Sequence, residues 1–387
     1  MRILFMADVR PNVDSGAAGT EVRTIEALRA QGHEVQAIWS PDLGRRIGHG
    51  NLHYLLELPR AYRRALADAS RTQTYDVVHV NQPHGFLAAR HLRSLPEGPV
   101  FVHRSHGFEM HVQEEVGRWK RVLGGAPPTS ARTMASWMMS RLLNQHSKAI
   151  ARWADGHIVS SSLDAEFLNR RLSVPLDRIA VIAQAPPSAF FDSPPPPMTD
   201  SRLRKVLYVG QFEFVKAPMI VAGVMRALAG DPSVQLTWVT AARDHHRVRE
   251  LMGSTAGRVD LVDWRSADEL QRVYDAHGVF LFPSFFEGFG KAFIEAMSRG
   301  LCVVASDVGG AHDVITSGQD GFLVPAGDQE TSIAIVRSII ANPETSRAVS
   351  RSAIQTASRY NWPRVAMETA DFYSRLIDFK NAGSVRT

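Results

Sequence analysis

Glu287 and Glu295 stand eight positions apart in the stretch Pro283-Ser-Phe-Phe-Glu-Gly-Phe-Gly-Lys-Ala-Phe-Ile-Glu-Ala-Met297. The apolar run 279–282 before them fits a strand buried in a parallel sheet. Residues 283–290 carry two glycines and read as a loop. Residues 291–299 have helical spacing, with Gly300 as the stop, and 301–305 read as the next strand. A loop with glycines thus feeds a helix N-terminus, where free N–H groups and a positive dipole end suit a phosphate. Gly288, Phe289, Gly290 and Lys291 stand at that terminus. Glu295 lies about 7 Å further along the helix axis, within reach of neutral hydroxyls such as those of a ribose. Glu287 lies in the loop, nearer whatever the phosphate carries.

The elements that must position these groups alternate along the chain. Runs at 3–7, 35–39, 76–80, 100–102, 157–160 and 179–182 read as strands of a first parallel sheet. Runs at 205–210, 234–240, 259–262, 279–282 and 301–305 read as a second. Ligands of such sheets bind beyond the carboxyl ends of the strands. After the strand at 205–210 comes a loop with Gln211 and Lys216. After the strand at 259–262 comes a turn with Trp264. After the strand at 100–102 come His103, His106 and His111, of which His106 stands next to a glycine. The loop after the first strand holds Gly16 and Gly19, either of which could let a ligand approach the backbone.

With 387 residues, two domains are expected. The composition, 44% hydrophobic and 21% charged, is that of an ordinary globular protein. Cys302 lies in an apolar strand and reads as buried packing, and as the one cysteine it leaves no intrachain disulfide framework. No apolar run reaches the length of a membrane span, and the opening apolar run is too short for a signal peptide, so a cytoplasmic protein is expected. The net charge of +5 is uneven: residues 1–190 hold 23 Lys and Arg against 17 Asp and Glu. This predicts an anionic partner for the first half, such as a membrane surface or an acidic glycan. No nucleic-acid motif accompanies the charge. The segment 119–153 interleaves basic and apolar residues around a break at Gly124-Gly-Ala-Pro-Pro128. It reads either as an interfacial helix or as a core-packed helix with a solvated basic face. The polyproline stretch 193–197 reads as an interdomain linker.

The pattern Pro-Ser-x-x-Glu-Gly-Phe-Gly-x-x-x-x-Glu-Ala-Met around Glu287 and Glu295 resembles the retaining GT-B glycosyltransferases of family 4, the glycosyl transferases group 1 enzymes. The resemblance implies an α/β GT-B fold: two Rossmann-like parallel-sheet domains facing across a cleft, with a C-terminal helix returning to the first. The expected bounds are 1–190 for the acceptor domain, 191–203 for the linker, 204–362 for the nucleotide-sugar domain and 363–387 for the closing helix. The implied activity is transfer of a sugar from a nucleotide diphosphate sugar to an acceptor hydroxyl with retention. A glycan or lipid-linked acceptor is implied, in polysaccharide or glycolipid synthesis, with peripheral contact of the basic half with an anionic membrane.

The resemblance also implies roles. Glu287 stabilises the oxocarbenium-like state, Glu295 holds the ribose, His106 orients the sugar or acceptor hydroxyl, and Lys216 grips the diphosphate. Gly16, Gln211, Trp264 and the run Gly288, Phe289, Gly290, Lys291 complete the donor site. Two departures stand out. Gln211 occupies the place of the family's Arg in Gly-Arg-x-x-x-x-Lys-Gly and supplies no charge, and Ala217 replaces the last Gly; Lys291 is the candidate compensating cation. Gln184-Ala-Pro-Pro187 replaces the family's Asn-Gly-Val-Asp, so no role passes to Gln184. No Asp-x-Asp, Cys/His cluster or nucleotide-binding glycine motif of another class is present, so no cofactor and no required metal are expected. Two rival readings are a sugar-nucleotide epimerase and a non-catalytic sugar-nucleotide-binding protein.

Overall fold

Runs such as Val77–Asn81 and Val279–Phe282 are buried at every position, as strands covered on both faces must be. The structure, a computed structural model, describes residues 1–95, 97–124 and 131–384. The proposed break at 124–128 lies, except for Gly124, outside the described residues. The chain divides into two units, 1–183 with 362–387 and 184–361.

The first unit holds six parallel strands: β1 (Arg2–Ala7), β2 (Glu34–Trp39), β3 (Val77–Asn81), β4 (Val100–Arg104), β5 (Gly156–Val159) and β6 (Ile179–Val181), in the order β2-β1-β3-β4-β5-β6. On one face, Leu58, Ala61, Tyr62 and Leu66 of the helix Leu58–Ala69 meet Ala88 and Leu92 of the helix Phe86–Arg93. Both pack on Leu4, Met6, Val78, Val80 and Phe101. The helix Trp362–Ser384 returns to this unit and packs against β4 and the helix Gly16–Ala30. Its Tyr373 hydroxyl is hydrogen-bonded at 2.5 Å to Nδ1 of His79, inside the sheet.

The second unit holds β7 (Lys205–Val209), β8 (Gln235–Val239), β9 (Val259–Val262), β10 (Val279–Phe282), β11 (Cys302–Ser306) and β12 (Phe322–Val324), in the order β12-β11-β10-β7-β8-β9. The chain lays β8 and β9 on one side of β7. It then crosses over to lay β10 on the other. The strand order therefore reverses between β7 and β10, and the loops leaving their carboxyl ends diverge around a crevice.

The proline stretch is placed differently from the linker expected at 191–203. The chain enters the second unit at Gln184, and residues 193–197 belong to that unit. Two buried arginines explain this. Arg299 donates to the carbonyls of Phe190 (2.9 Å) and Ser193 (2.7 Å) and pairs with Asp275 at 2.7 Å. Arg202 donates to the carbonyls of Pro196 (2.6 Å), Pro197 (3.2 Å) and His277 (3.0 Å). Prolines have no N–H to offer a sheet, so their carbonyls are free to accept from guanidinium groups.

Replacing Arg299 by Met should strand Asp275 and these carbonyls without a donor. The expected loss is about 3 kcal/mol of unfolding free energy, read by denaturant titration. A loss below a few tenths of that would show that the proline stretch does not need this anchor.

Candidate functional site

The loops after β7 and β10 are tied together before any side chain is considered. The N–H of Phe285 donates to the carbonyl of Val215 at 2.8 Å, and the rings of Phe214 and Phe285 lie 5.3 Å apart. A 3-10 turn, Phe214–Lys216, ends at Ala217, whose φ of 48° and ψ of 52° are left-handed. That is the conformation for which a glycine is ordinarily used. The turn aims Lys216 at the β10 loop. Its Nζ donates to both carboxylate oxygens of Glu287, at 2.7 and 2.8 Å. Ser284 Oγ donates to the same carboxylate at 2.7 Å. Glu287 is buried, whereas the Lys216 side chain is 27% exposed. The carboxylate is therefore fixed by three hydrogen bonds from two donor groups, and the Lys216 side chain stays partly open to solvent.

Close backbone packing holds this loop. Gly290 has a φ of 88°, and a Cβ there would lie 2.4 Å from the Phe282 ring. Gly309, which opens the short helix Gly309–Val314 after β11, has a φ of 54°, and a Cβ there would lie 2.5 Å from the carbonyl oxygen of Glu287. The next residue, Gly310, donates its N–H to the carbonyl of Phe289 at 3.0 Å.

The helix Lys291–Ser298 starts at once after Gly290. Gly288 and Phe289 are buried at its approach, and Lys291 is half-buried in its first turn. Glu295 is buried and accepts from the Tyr274 hydroxyl at 3.0 Å. Burial, and then the Glu295 carboxylate, push the Tyr274 hydroxyl well above its ordinary pKa, so it stays a donor. Gln211 is exposed at the end of β7, and Trp264 is 44% exposed at the end of β9. Lys216, Glu287, Gln211, Trp264 and the helix start thus share the carboxyl end of one sheet. Such an arrangement can take an anion on Lys216 and the helix N-terminus, with carboxylates to either side for hydroxyl groups. Ser284, which orients Glu287, is the Ser of the Pro-Ser-x-x-Glu pattern, though no role was assigned to it, while Tyr274, which orients Glu295, carries no mark in the sequence that separates it from core residues.

The first unit carries a second polar cluster. The three neighbouring histidines have different surroundings. His103 is fully buried within β4, 3.2 Å from Nδ1 of His157, and burial holds it well below its ordinary pKa. His111 is bound to Asp164 at 2.7 Å and stacks on Phe167. His106 is 20% exposed and its Nε2 meets Oε1 of the fully buried Glu21. Burial pushes Glu21 up. The adjoining His106 and then Arg104 outweigh burial and hold the carboxyl at about 2. Arg104, itself fully buried, donates to Thr24 at 3.3 Å. Glu21 and Arg104 were not singled out by the sequence. Of the two glycines in the first loop, Gly16 opens the helix with open space around it. Gly19 is the tight one: a Cβ there would meet the Val13 carbonyl at 2.4 Å.

The sequence pattern described as Glycosyl transferases group 1 matches residues 204–342, and that described as Glycosyltransferase Family 4 matches residues 15–185. The D-inositol 3-phosphate glycosyltransferase of Segniliparus rotundus is 31% identical over 168 residues, which are 42% of this chain and 37% of that one. The alpha-maltose-1-phosphate synthase of Mycolicibacterium smegmatis is 24% identical over 97% of this chain and all of its own length. Among solved structures, sucrose-phosphate synthase from Thermosynechococcus elongatus superposes with a TM-score of 0.76 at 22% identity, covering 98% of this chain and 100% of that one. The Anabaena protein HepE in complex with UDP gives 0.66 at 17% identity, covering 97% and 100%.

The Gly309 contact can be tested by stability alone. Gly309→Ala should cost about 2 kcal/mol, because the new methyl group meets the Glu287 backbone in a left-handed conformation. Equilibrium unfolding in urea reads the change; a variant as stable as the parent would refute the close fit.

Proposed function

This chain belongs to the glycosyl transferases group 1, family 4, and has their GT-B fold. From that premise we propose that it moves a sugar from a nucleotide diphosphate sugar to an acceptor hydroxyl, with retention and without a required metal. The observation that carries this reading is the Lys216 ammonium held on the Glu287 carboxylate where the second sheet reverses its order. The donor diphosphate takes the open side of Lys216 and the N–H groups at 288–291. Glu295, oriented by Tyr274, receives the ribose hydroxyls. Trp264 flanks the base. Glu287 faces the sugar and stabilises the positive charge that grows at the anomeric carbon.

In this reading the anomeric carbon–phosphate oxygen bond breaks while the acceptor oxygen bonds to the same face. The acceptor proton passes to a phosphate oxygen of the departing nucleoside diphosphate. Lys216 and the helix N-terminus meet the leaving charge, with Lys291 in the first turn adding a cation where Gln211 supplies none. On the first unit, His106, fixed by Glu21, holds a hydroxyl of the acceptor.

The UDP bound by HepE and the sugar-phosphate products named for the relatives support a nucleotide-sugar donor. The acceptor is taken to be a glycan or lipid-linked glycan at the inner face of a membrane, in polysaccharide or glycolipid synthesis, which accords with the basic first half. Among the described residues no helix is long and apolar enough to cross a membrane.

Glu287→Gln removes the charge but keeps the shape. Turnover should fall about 100-fold or more while the donor dissociation constant changes little. The parent enzyme should give a product of unchanged anomeric configuration by NMR. Near-normal turnover in Glu287→Gln, or an inverted product, would overturn the mechanism.

A further inference from the structure

One helical flank of the first unit carries side chains that neither the sheet nor the candidate site uses. The helical run that begins at Gly50 and continues through Leu58–Ala69 exposes Leu52 (38%) and Leu56 (44%). Arg60, Arg63 and Arg64 follow on the same side, all exposed. Residues 53–57 form one π-helical turn that leads into the α-helix, on which Arg60 and Arg64 stand four apart. Arg46 joins Arg60, Arg63 and Arg64 around an open concavity of ≈ 710 Å³.

The carboxylate in its lining, Glu57, is already engaged. It accepts from the N–H groups of Arg46 and Ile47 at 2.8 and 2.9 Å and is hydrogen-bonded to His53 Nδ1 at 2.8 Å. Four guanidinium groups therefore surround one carboxylate whose oxygens are taken.

The next helix in the same layer, Ala131–Trp153, packs against residues 53–57. Tyr54 stacks on His84 at 5.2 Å, and His84 meets His146 of that helix at 5.2 Å. The helix exposes Met138 (56%) and Leu142 (48%), again four apart. Both helices run antiparallel to the strands. One leads from the end of β2 back to the start of β3; the other leads back to the start of β5. Their exposed apolar residues thus lie toward the carboxyl rim of the sheet, with the arginines further down the flank. Apolar side chains at a rim with cations set back behind them match the two levels of a bilayer surface, acyl boundary and phosphates. A site for a soluble anion would have no use for the exposed leucines, and it would enclose its cations, whereas these are exposed.

We propose that this flank docks the first unit on a membrane of anionic phospholipid, through Leu52 and Leu56 at the acyl boundary and Arg46, Arg60, Arg63 and Arg64 at the phosphates. The inference deepens the membrane-side acceptor of the proposed function and rests on that reading for its biological sense. Its test needs no turnover, so the two fail separately.

The full-length protein is sedimented with vesicles of phosphatidylcholine alone and of phosphatidylcholine with one-third phosphatidylglycerol, at low and raised salt. The parent should bind only the phosphatidylglycerol vesicles and release with salt. R63E/R64E should weaken binding at least about tenfold, at roughly 1 kcal/mol per basic residue near the surface. L56E should also weaken it, and E166Q/R171E, a change on another exposed helix, should not. Circular dichroism and the donor-induced thermal shift report that each variant is folded. Absence of phosphatidylglycerol binding, or binding that R63E/R64E retains, overturns the proposal. Saturable binding of inorganic phosphate that R63E/R64E abolishes, without vesicle binding, also overturns it and makes the concavity a soluble-anion site.

Discussion

A buried carboxylate must be satisfied, and in this protein Glu287 is satisfied by the ammonium of Lys216 and the hydroxyl of Ser284. Much of the second unit can be read as the means of keeping these groups together. The order reversal between β7 and β10 gives the two loops a crevice to fill. The Phe285–Val215 hydrogen bond fixes their separation. Gly290 and Gly309 let the backbone close in without a side chain in the way. The result is a charge pair with one partner buried and the other open. In the proposed reading an incoming phosphate shares Lys216 without first exposing Glu287 to water, so donor binding needs little reorganisation.

Legibility in the sequence followed the range of the interactions. The strand–loop–helix–strand unit around Glu287 and Glu295 is encoded within some thirty residues, by apolar runs, glycines and helical spacing, and it stands where expected. Lys216 was legible through its own strand and turn. What escaped depends on contacts made across the chain. Glu21 looks like one more helix carboxylate, and only folding brings it to His106, 85 positions away. Tyr274 becomes the partner of Glu295 only across 21 positions of chain. The proline stretch carries every local sign of a linker, yet Arg202 and Arg299 dock it, the latter from more than a hundred positions away. Gly16 and Gly19 are alike on paper; their neighbours in space tell them apart.

The departures from the family pattern also find physical settings. Ala217 keeps the left-handed turn that the usual glycine would adopt more easily, and it is fully buried there. The strain of that conformation, on the order of 1 kcal/mol or more, is held by the surrounding packing. Gln211 lies exposed at the rim, where an arginine would have added charge. In the proposed reading this leaves diphosphate recognition to Lys216 and to the helix that starts at Lys291, so that reading turns on Lys216.

Thermal unfolding of the parent and of Lys216→Ala, each titrated with UDP, GDP and ADP sugars in the presence of EDTA, tests that claim most directly. A ligand bound only by the folded state stabilises it by about 2.7 kcal/mol at a hundred times its dissociation constant. The midpoint should climb with one donor in the parent and stay flat in Lys216→Ala. A donor-dependent shift that survives the loss of Lys216, or a parent that responds to no donor, would contradict it.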